Sequence, residues 1–265
     1  MARVRQVSGG GKAVEVEPER LARWFARFAE REGGVTTTTL TATSVTVTAA
    51  DGTTATVEVP FPPLTTATPT TTTTADNSAA TENRAETENG AETENSPETN
   101  NSAATDRPGG EAARVPGLAV EPLVEHVTAP RTIGLLLVRL GAHSVGVAEG
   151  GEVVVSRTDR HLVHGRSAAG GWSQQRFARR RAGQARSALR AAADDAVEVL
   201  GSRLSALDGV VLGGDRRALD ELREDTRLAD VFALASPRVL DVGEPRRTVL
   251  DEAARRARAV EVLIR

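Results

Sequence analysis

Hydrophobic positions follow three patterns along the chain. Near the start, Leu21, Trp24, Phe25 and Phe28 recur at i, i+3, i+4 and i+7, the spacing of one buried helix face. Pro18 suits the first turn of that helix, and Gly33-Gly34 ends it. Two Thr/Val-rich segments follow, residues 35–48 and 53–59, joined through Asp51-Gly52, a strong hairpin signal. These elements predict a small α+β unit over residues 1–64, with Trp24 and the phenylalanines as core. So small a unit buries little apolar surface and must lean on something else.

The second pattern is an absence. From Thr65 to Glu111 nothing apolar larger than alanine occurs apart from proline, and a threonine run gives way to the imperfect repeat TENRAETENGAETENSPETN. Such a composition cannot repay the entropy of folding. Residues 65–115 are therefore expected to be a low-complexity, acidic, disordered linker.

Periodic structure resumes in residues 116–265. Residues 132–139 read as a central strand, and 143–148 and 152–156 as a hairpin through Gly150-Gly151. A short strand is expected at 160–164, then a Gly/Ala/Ser loop running without a break into a long helix that ends near Leu200. Residues 209–212 predict a buried strand and 216–224 a helix with Leu219 and Leu222 inward. A strand at 239–242, a helix at 247–260 and a closing strand at 262–264 complete the order. Antiparallel strands, a long helix and then strand–helix units give an α/β (α+β) layer fold with a mixed sheet.

The long helix has two faces. At about 100° per residue, Ala178, Ala182, Ala185, Leu189, Ala192, Ala196 and Leu200 fall on one apolar arc, and Arg176, Arg179, Arg180, Arg186 and Arg190 on another. Directly ahead lies a glycine-loosened tip, Gly170-Gly171, with Trp172, Gln174 and Gln175. Arginine offers phosphate oxygens a planar fork of donors, and a helix N-terminus adds free N–H groups. The arrangement suits a loop carried along a nucleic-acid backbone that delivers a small neutral group.

The run GGWSQQRFARRR, residues 170–181, resembles the catalytic loop and helix start of the eukaryotic and archaeal class-one translation release factors, which have Gly-Gly-Gln followed by small residues and Arg-Phe-Ala-Arg. Arg176-Phe177-Ala178-Arg179 keeps that continuation. An ungapped alignment puts Trp172 at the family's glutamine, and glutamine follows two and three positions later. Gly171-Trp172-Ser173-Gln174 instead fits the Gly-x-x-Gln motif of the Vms-like release factors, peptidyl-tRNA hydrolases of ribosome rescue, and is most similar to their actinobacterial group. The resemblance covers roughly the last 130 to 150 residues. It implies an RNase H-like release-factor catalytic domain that hydrolyses peptidyl-tRNA on stalled large ribosomal subunits without a cofactor. Gln174, or Gln175 in a shifted register, would act catalytically, with Gly170 and Gly171 letting the backbone approach. Trp172 and the five arginines would meet tRNA and ribosomal RNA.

Charge sharpens that picture. The net charge of −3 hides a local excess, because residues 65–111 carry nine acids against two arginines, or −7, leaving +4 elsewhere. Nine arginines against one acid, Asp159, fall between residues 157 and 190. There is no cysteine, so no disulfide or thiolate metal site forms. The start of the chain lacks the apolar core of a signal peptide, and the longest apolar run, residues 133–138, is far below the ~18 residues of a membrane span. A cytoplasmic, ribosome-associated protein is expected.

Other chemistry finds less support. His161 and His164, three apart on a predicted strand, point to opposite faces and make no metal site. Ser173 has no evident base to make it a nucleophile. Gly213-Gly214-Asp215 lacks the Lys-Ser/Thr of a phosphate loop and reads as a tight turn. A metal-dependent nuclease would need carboxylates at the central strand, and residues 132–140 contain none. A non-catalytic RNA- or ribosome-binding factor of the same fold is the alternative to the hydrolase.

Overall fold

The computed structural model describes residues 4–7, 10–64, 112–139, 141–160 and 173–265, with the backbone alone for 173–178 and 181. In chain order the first elements are β1 (Val4–Gln6), β2 (Lys12–Val16), α1 (Pro18–Arg31), β3 (Val35–Leu40), β4 (Ser44–Ala49), β5 (Thr54–Glu58), β6 (Ala113–Pro116) and α2 (Glu121–Thr128). They continue as β7 (Thr132–Arg139), β8 (Ala142–Glu149), β9 (Glu152–Arg160), α3 (Ser173–Val199), β10 (Gly209–Gly214), α4 (Arg216–Arg223), α5 (Ala229–Ala233), β11 (Ala235–Leu240), α6 (Arg247–Arg258) and β12 (Val260–Ile264).

Alternation of apolar and hydroxyl residues makes the first sheet. Val45, Val47 and Ala49 of β4 and Ala55 and Val57 of β5 are buried in one core with Leu21, Phe25 and Phe28 of α1. The intervening threonines remain half-exposed on the other face, where the Thr46 and Thr56 hydroxyls meet across the strands at 3.2 Å. Trp24 stacks on Phe28 at 5.7 Å between ring centroids, so the aromatic residues of α1 are packing groups.

The segment expected as one strand at 35–48 is two, β3 and β4. Thr41 breaks it: its hydroxyl oxygen accepts the Ser44 N–H at 2.8 Å, a local bond that competes with the ladder. The hairpin at Asp51-Gly52 then joins β4 to β5, with Asp51 accepting the Thr53 N–H.

The sheet is antiparallel, in the order β1-β2-β12-β5-β4-β3-β6. Its middle is filled by the chain's last strand: Val262 of β12 faces Val14 on one side and Val57 on the other. Leu123 and Val127 of α2 join the same core. Division of the chain at 64 and 116 therefore does not match the division of its cores. The core built mainly by residues 12–64 is completed by residues 113–128 and 260–264.

The second sheet has the order β11-β10-β7-β8-β9. β7, β8 and β9 are antiparallel, while β10 and β11 run parallel to β7. β7 is buried on both faces, which is why it reads as an unbroken apolar run. Leu136 and Val138 pack with α3 and α4, and Ile133, Leu135 and Leu137 with α6. β11 begins earlier than the expected 239–242, because Pro237 and Arg238 conceal an edge strand, where proline is tolerated. Of the strand expected at 160–164, β9 includes Arg160, and the rest lies outside the described residues. Three antiparallel strands, a long helix and two parallel strands form the mixed-sheet α/β (α+β) layer fold expected from the order of elements.

Candidate functional site

Helix α3 has 27 residues, about 40 Å of helix. Its second half is a core element, with Ala188, Ala192, Ala193, Ala196 and Val199 buried, as is Leu200 just beyond its end. Its first half is not. Ala182 and Ala185, members of the apolar arc, are exposed, and no residue of 179–187 whose exposure is described is buried. Alanine is the best helix former, so here the alanines continue the helix without marking a face that packs. Leu189 is half-buried where the two halves meet.

Arg179, Arg180, Arg186 and Arg190 are all exposed. They span an arc of about 120° at 100° per residue. None of the four holds a carboxylate among the described residues, whereas Arg157, Arg227, Arg238 and Arg256 do. These four cations are thus available to an outside anion. Gln174, Gln175 and Arg176 fall in the first turn of α3, and their side chains lie outside the described residues. Gly170, Gly171 and Trp172 lie outside them altogether, as do His161, His164 and the linker at 65–111.

A polar cluster at the root of this arm escaped the sequence reading. His143 on β8 is 1% exposed, and its Nε2 donates to Asp195 Oδ2 of α3 at 2.8 Å. Arg157 of β9 donates to Asp195 Oδ1 at 3.3 Å and, through its other nitrogen, to Glu198 Oε1. The available signal was a histidine in an apolar strand and an acid beside the alanines of a buried stripe.

The same end of the sheet carries several strand termini. β9 ends at Arg160 opposite Ala142, β7 ends at Arg139, and Gly214 of β10 lies opposite Val138. On the α6 side an open groove of about 550 Å³ is lined by Arg139, Asp241, Glu244, Glu252 and Arg256 among others. Arg246 bonds to Glu244 and, with Arg160 nearby, holds its carboxyl below the usual range. On the other side, Asp215 caps α4 by accepting the Arg217 N–H at 3.0 Å. Gly214 before it has φ +103°, and a Cβ there would lie 2.1 Å from the Val138 carbonyl oxygen. The glycine turn is therefore needed for close strand contact. Among the described residues no three His, Asp or Glu side chains gather to hold a metal, and no helix is long and apolar enough to cross a membrane.

A family model described as Actinobacteria/chloroflexi VLRF1 release factor matches residues 131–263. No curated protein matches the sequence. Among solved structures the chain is similar to an archaeal translation termination factor, aRF1, at 19% identity with a TM-score of 0.34, over 56% of this chain and 41% of that one. It is also similar to S. cerevisiae Dom34, a translation termination-like factor involved in RNA quality control pathways and interacting with Hbs1. That match has 8% identity and a TM-score of 0.29, over 94% of this chain and 65% of the other. The chain thus spans less than two thirds of either structure. The family match takes in half of the chain, from the strand before β8 through α6 and into β12, with Gln174 and the arginine face inside it. On that match, the chain belongs to the Actinobacteria/chloroflexi VLRF1 release factor family.

Proposed function

We propose that this protein is a peptidyl-tRNA hydrolase that frees nascent peptides from tRNA on stalled large ribosomal subunits in the cytoplasm. The observation that carries the proposal is the exposed first half of α3. Arg179, Arg180, Arg186 and Arg190 hold no carboxylate among the described residues, and they follow directly behind Gln174 within the span matched by the release-factor model. Arginines of this kind recognise phosphates by bidentate hydrogen bonds, and an RNA backbone presents phosphates in series.

Cleavage of the ester between peptide and ribose needs a positioned water and donors for the developing oxyanion. Gln174 and Gln175 lie in the first turn of α3, where backbone N–H groups have no partner within the helix. A glutamine there supplies a backbone N–H, a side-chain amide donor and a carbonyl able to orient water, none of which titrates. Gly170 and Gly171 would let this backbone approach the ester, and Trp172 would stack on a base or ribose of the RNA. No step requires a cofactor.

Hydrolysis assays on purified peptidyl-tRNA and on stalled large subunits test this reading. Wild-type protein should release peptide, and Gln174→Ala should lose activity on the order of 10²-fold while association is unchanged, since no charge is altered. Trp172, at the family's glutamine in an ungapped register, favours a second reading as a non-catalytic ribosome-binding rescue factor. Binding to subunits with no release by the wild-type protein would overturn the hydrolase and leave that one.

A further inference from the structure

We infer that His143, Asp195, Arg157 and Glu198 form a positioning device that fixes the direction in which the free half of α3 leaves the sheet. The inference rests on the reading of that half as the arm carrying Gln174, although its central measurement does not.

The packing beneath the arm is poorly suited to set an angle. The buried stripe nearest the arm is Ala188, Ala192, Ala193 and Ala196, small side chains that make a smooth contact, with the larger Val199 and Leu200 only at its far end. Apolar contact is non-directional, so it holds the helix to the sheet while leaving tilt and roll soft. Hydrogen bonds are directional and weaken steeply off-axis. Asp195 accepts from two strands at once, from His143 Nε2 of β8 at 2.8 Å and from Arg157 of β9 at 3.3 Å. Arg157 spans one helical turn by also reaching Glu198. Two acceptors on the helix and two donors on adjacent strands define an orientation that one contact could not. His143 is 1% exposed, so water is poorly placed to substitute for it.

Leverage gives the device its importance. Gln174 precedes Asp195 by 21 positions, about 31 Å of helix, so a tilt of about 10° would displace the tip by about 5 Å. A misplacement of about 1 Å at a reacting centre can already cost 10²-fold in rate. The arginine face tolerates such a tilt better, since long side chains and a repeating phosphate backbone adjust to one another. The network therefore separates placement of the tip from affinity for RNA.

The chain has no cysteine, so two introduced cysteines take spin labels uniquely. Ala182→Cys on the exposed half of α3 and Arg255→Cys on the exposed side of α6 place labels on opposite faces of the second sheet. Pulsed EPR should give one narrow distance distribution in the otherwise wild-type protein. With Asp195→Ala it should broaden or shift by about 3 Å, the same tilt taken over about 20 Å of helix. Arg157→Ala removes a half-exposed side chain, should retain the fold, and should broaden it less, which keeps the test decisive if Asp195→Ala does not fold. Unchanged distributions in every folded variant overturn the inference. Release assays add an independent reading: kcat should fall while subunit affinity stays within about 2-fold, since the arginine face is untouched. Broadened distributions in a protein with no release activity would uphold the positioning device and sink the hydrolase.

Discussion

Neighbouring positions on a helix lie about 100° apart, so Gln174 and Gln175 cannot serve one ester equally. If Gly171-Trp172-Ser173-Gln174 is the working register, Gln175→Ala should cost less than about 10-fold in single-turnover release, against about 10²-fold for Gln174→Ala. The reverse order would move the catalytic assignment by one residue. Gly214 permits a second test at this scale. Alanine there would need both a left-handed backbone and room for a Cβ 2.1 Å from the Val138 carbonyl oxygen, so Gly214→Ala should destabilise the fold by about 2 to 4 kcal/mol in urea unfolding. The candidate tip rests on sequence alone, because Gly-x-x-Gln and Arg-Phe-Ala-Arg are local patterns whose side chains, Arg179 apart, lie outside the described residues. His143 and Asp195 were not legible in the sequence, because their meaning depends on a pairing across 52 positions that no local period records.

Helix α3 shows what periodicity can and cannot tell about an element. Its extent was readable from residues that mostly favour helix, alanine and arginine above all, and its arginine face from spacing. Its apolar arc was overdrawn, since alanine marks a helix as readily as a core, and Ala182 and Ala185 turn out exposed. The division predicts a contrast: Ala185→Ser should change stability by less than about 0.5 kcal/mol, whereas Leu200→Ala, at a fully buried position, should cost about 2 to 5 kcal/mol. The arginine face carries its own test. If Arg179 and Arg186 each hold a phosphate, Arg179→Ala with Arg186→Ala should lower the slope of log affinity against log salt by roughly 1.4 to 1.8, while release from substrate already bound changes far less. An unchanged slope would place the RNA elsewhere. Edge strand β9 was legible in position, while its bulge at Val154 was not. The bulge arises because Val147 pairs with Val155 and Ala148 with Val153, and with Arg157, Asp159 and Arg160 it leaves a twisted, charged edge ill suited to pairing with another sheet.

At the scale of the whole molecule, the linker at 65–111 and the alternating strands suggested two units, yet the chain's ends are tied together. β12 belongs by sequence to the release-factor-like part, but hydrogen-bonds between β2 and β5 in the other sheet. No local pattern could reveal this, because a short, mainly aliphatic strand such as Val260–Ile264 does not record its partner. Two further ties connect the sheets. A Cβ on Gly209 of β10 would lie 2.5 Å from the Phe61 ring, a measure of how closely that ring approaches the second sheet. Glu15 of β2 accepts from Arg238 at 2.8 Å and Arg256 at 3.1 Å. Burial pushes the Arg238 guanidinium below its usual range, and Glu15 opposes that shift. Removing the carboxylate would leave two confined cations with only backbone carbonyl partners among the described residues, so Glu15→Ala should cost about 2 to 3 kcal/mol. That is less than a fully enclosed ion pair would lose, because Glu15, Arg238 and Arg256 retain 16%, 25% and 14% exposure. With the sheets joined by a shared strand and this clamp, the two cores should unfold together. In a Trp172→Phe background Trp24 reports on the first core, while far-UV circular dichroism reports on both. Their urea transitions should coincide in the parent and, at lower midpoint, in Glu15→Ala, as two-state behaviour requires. Separate transitions in the parent would show that the first sheet can melt while the release-factor-like part stands, and that β12 does not bind the two into one folding unit.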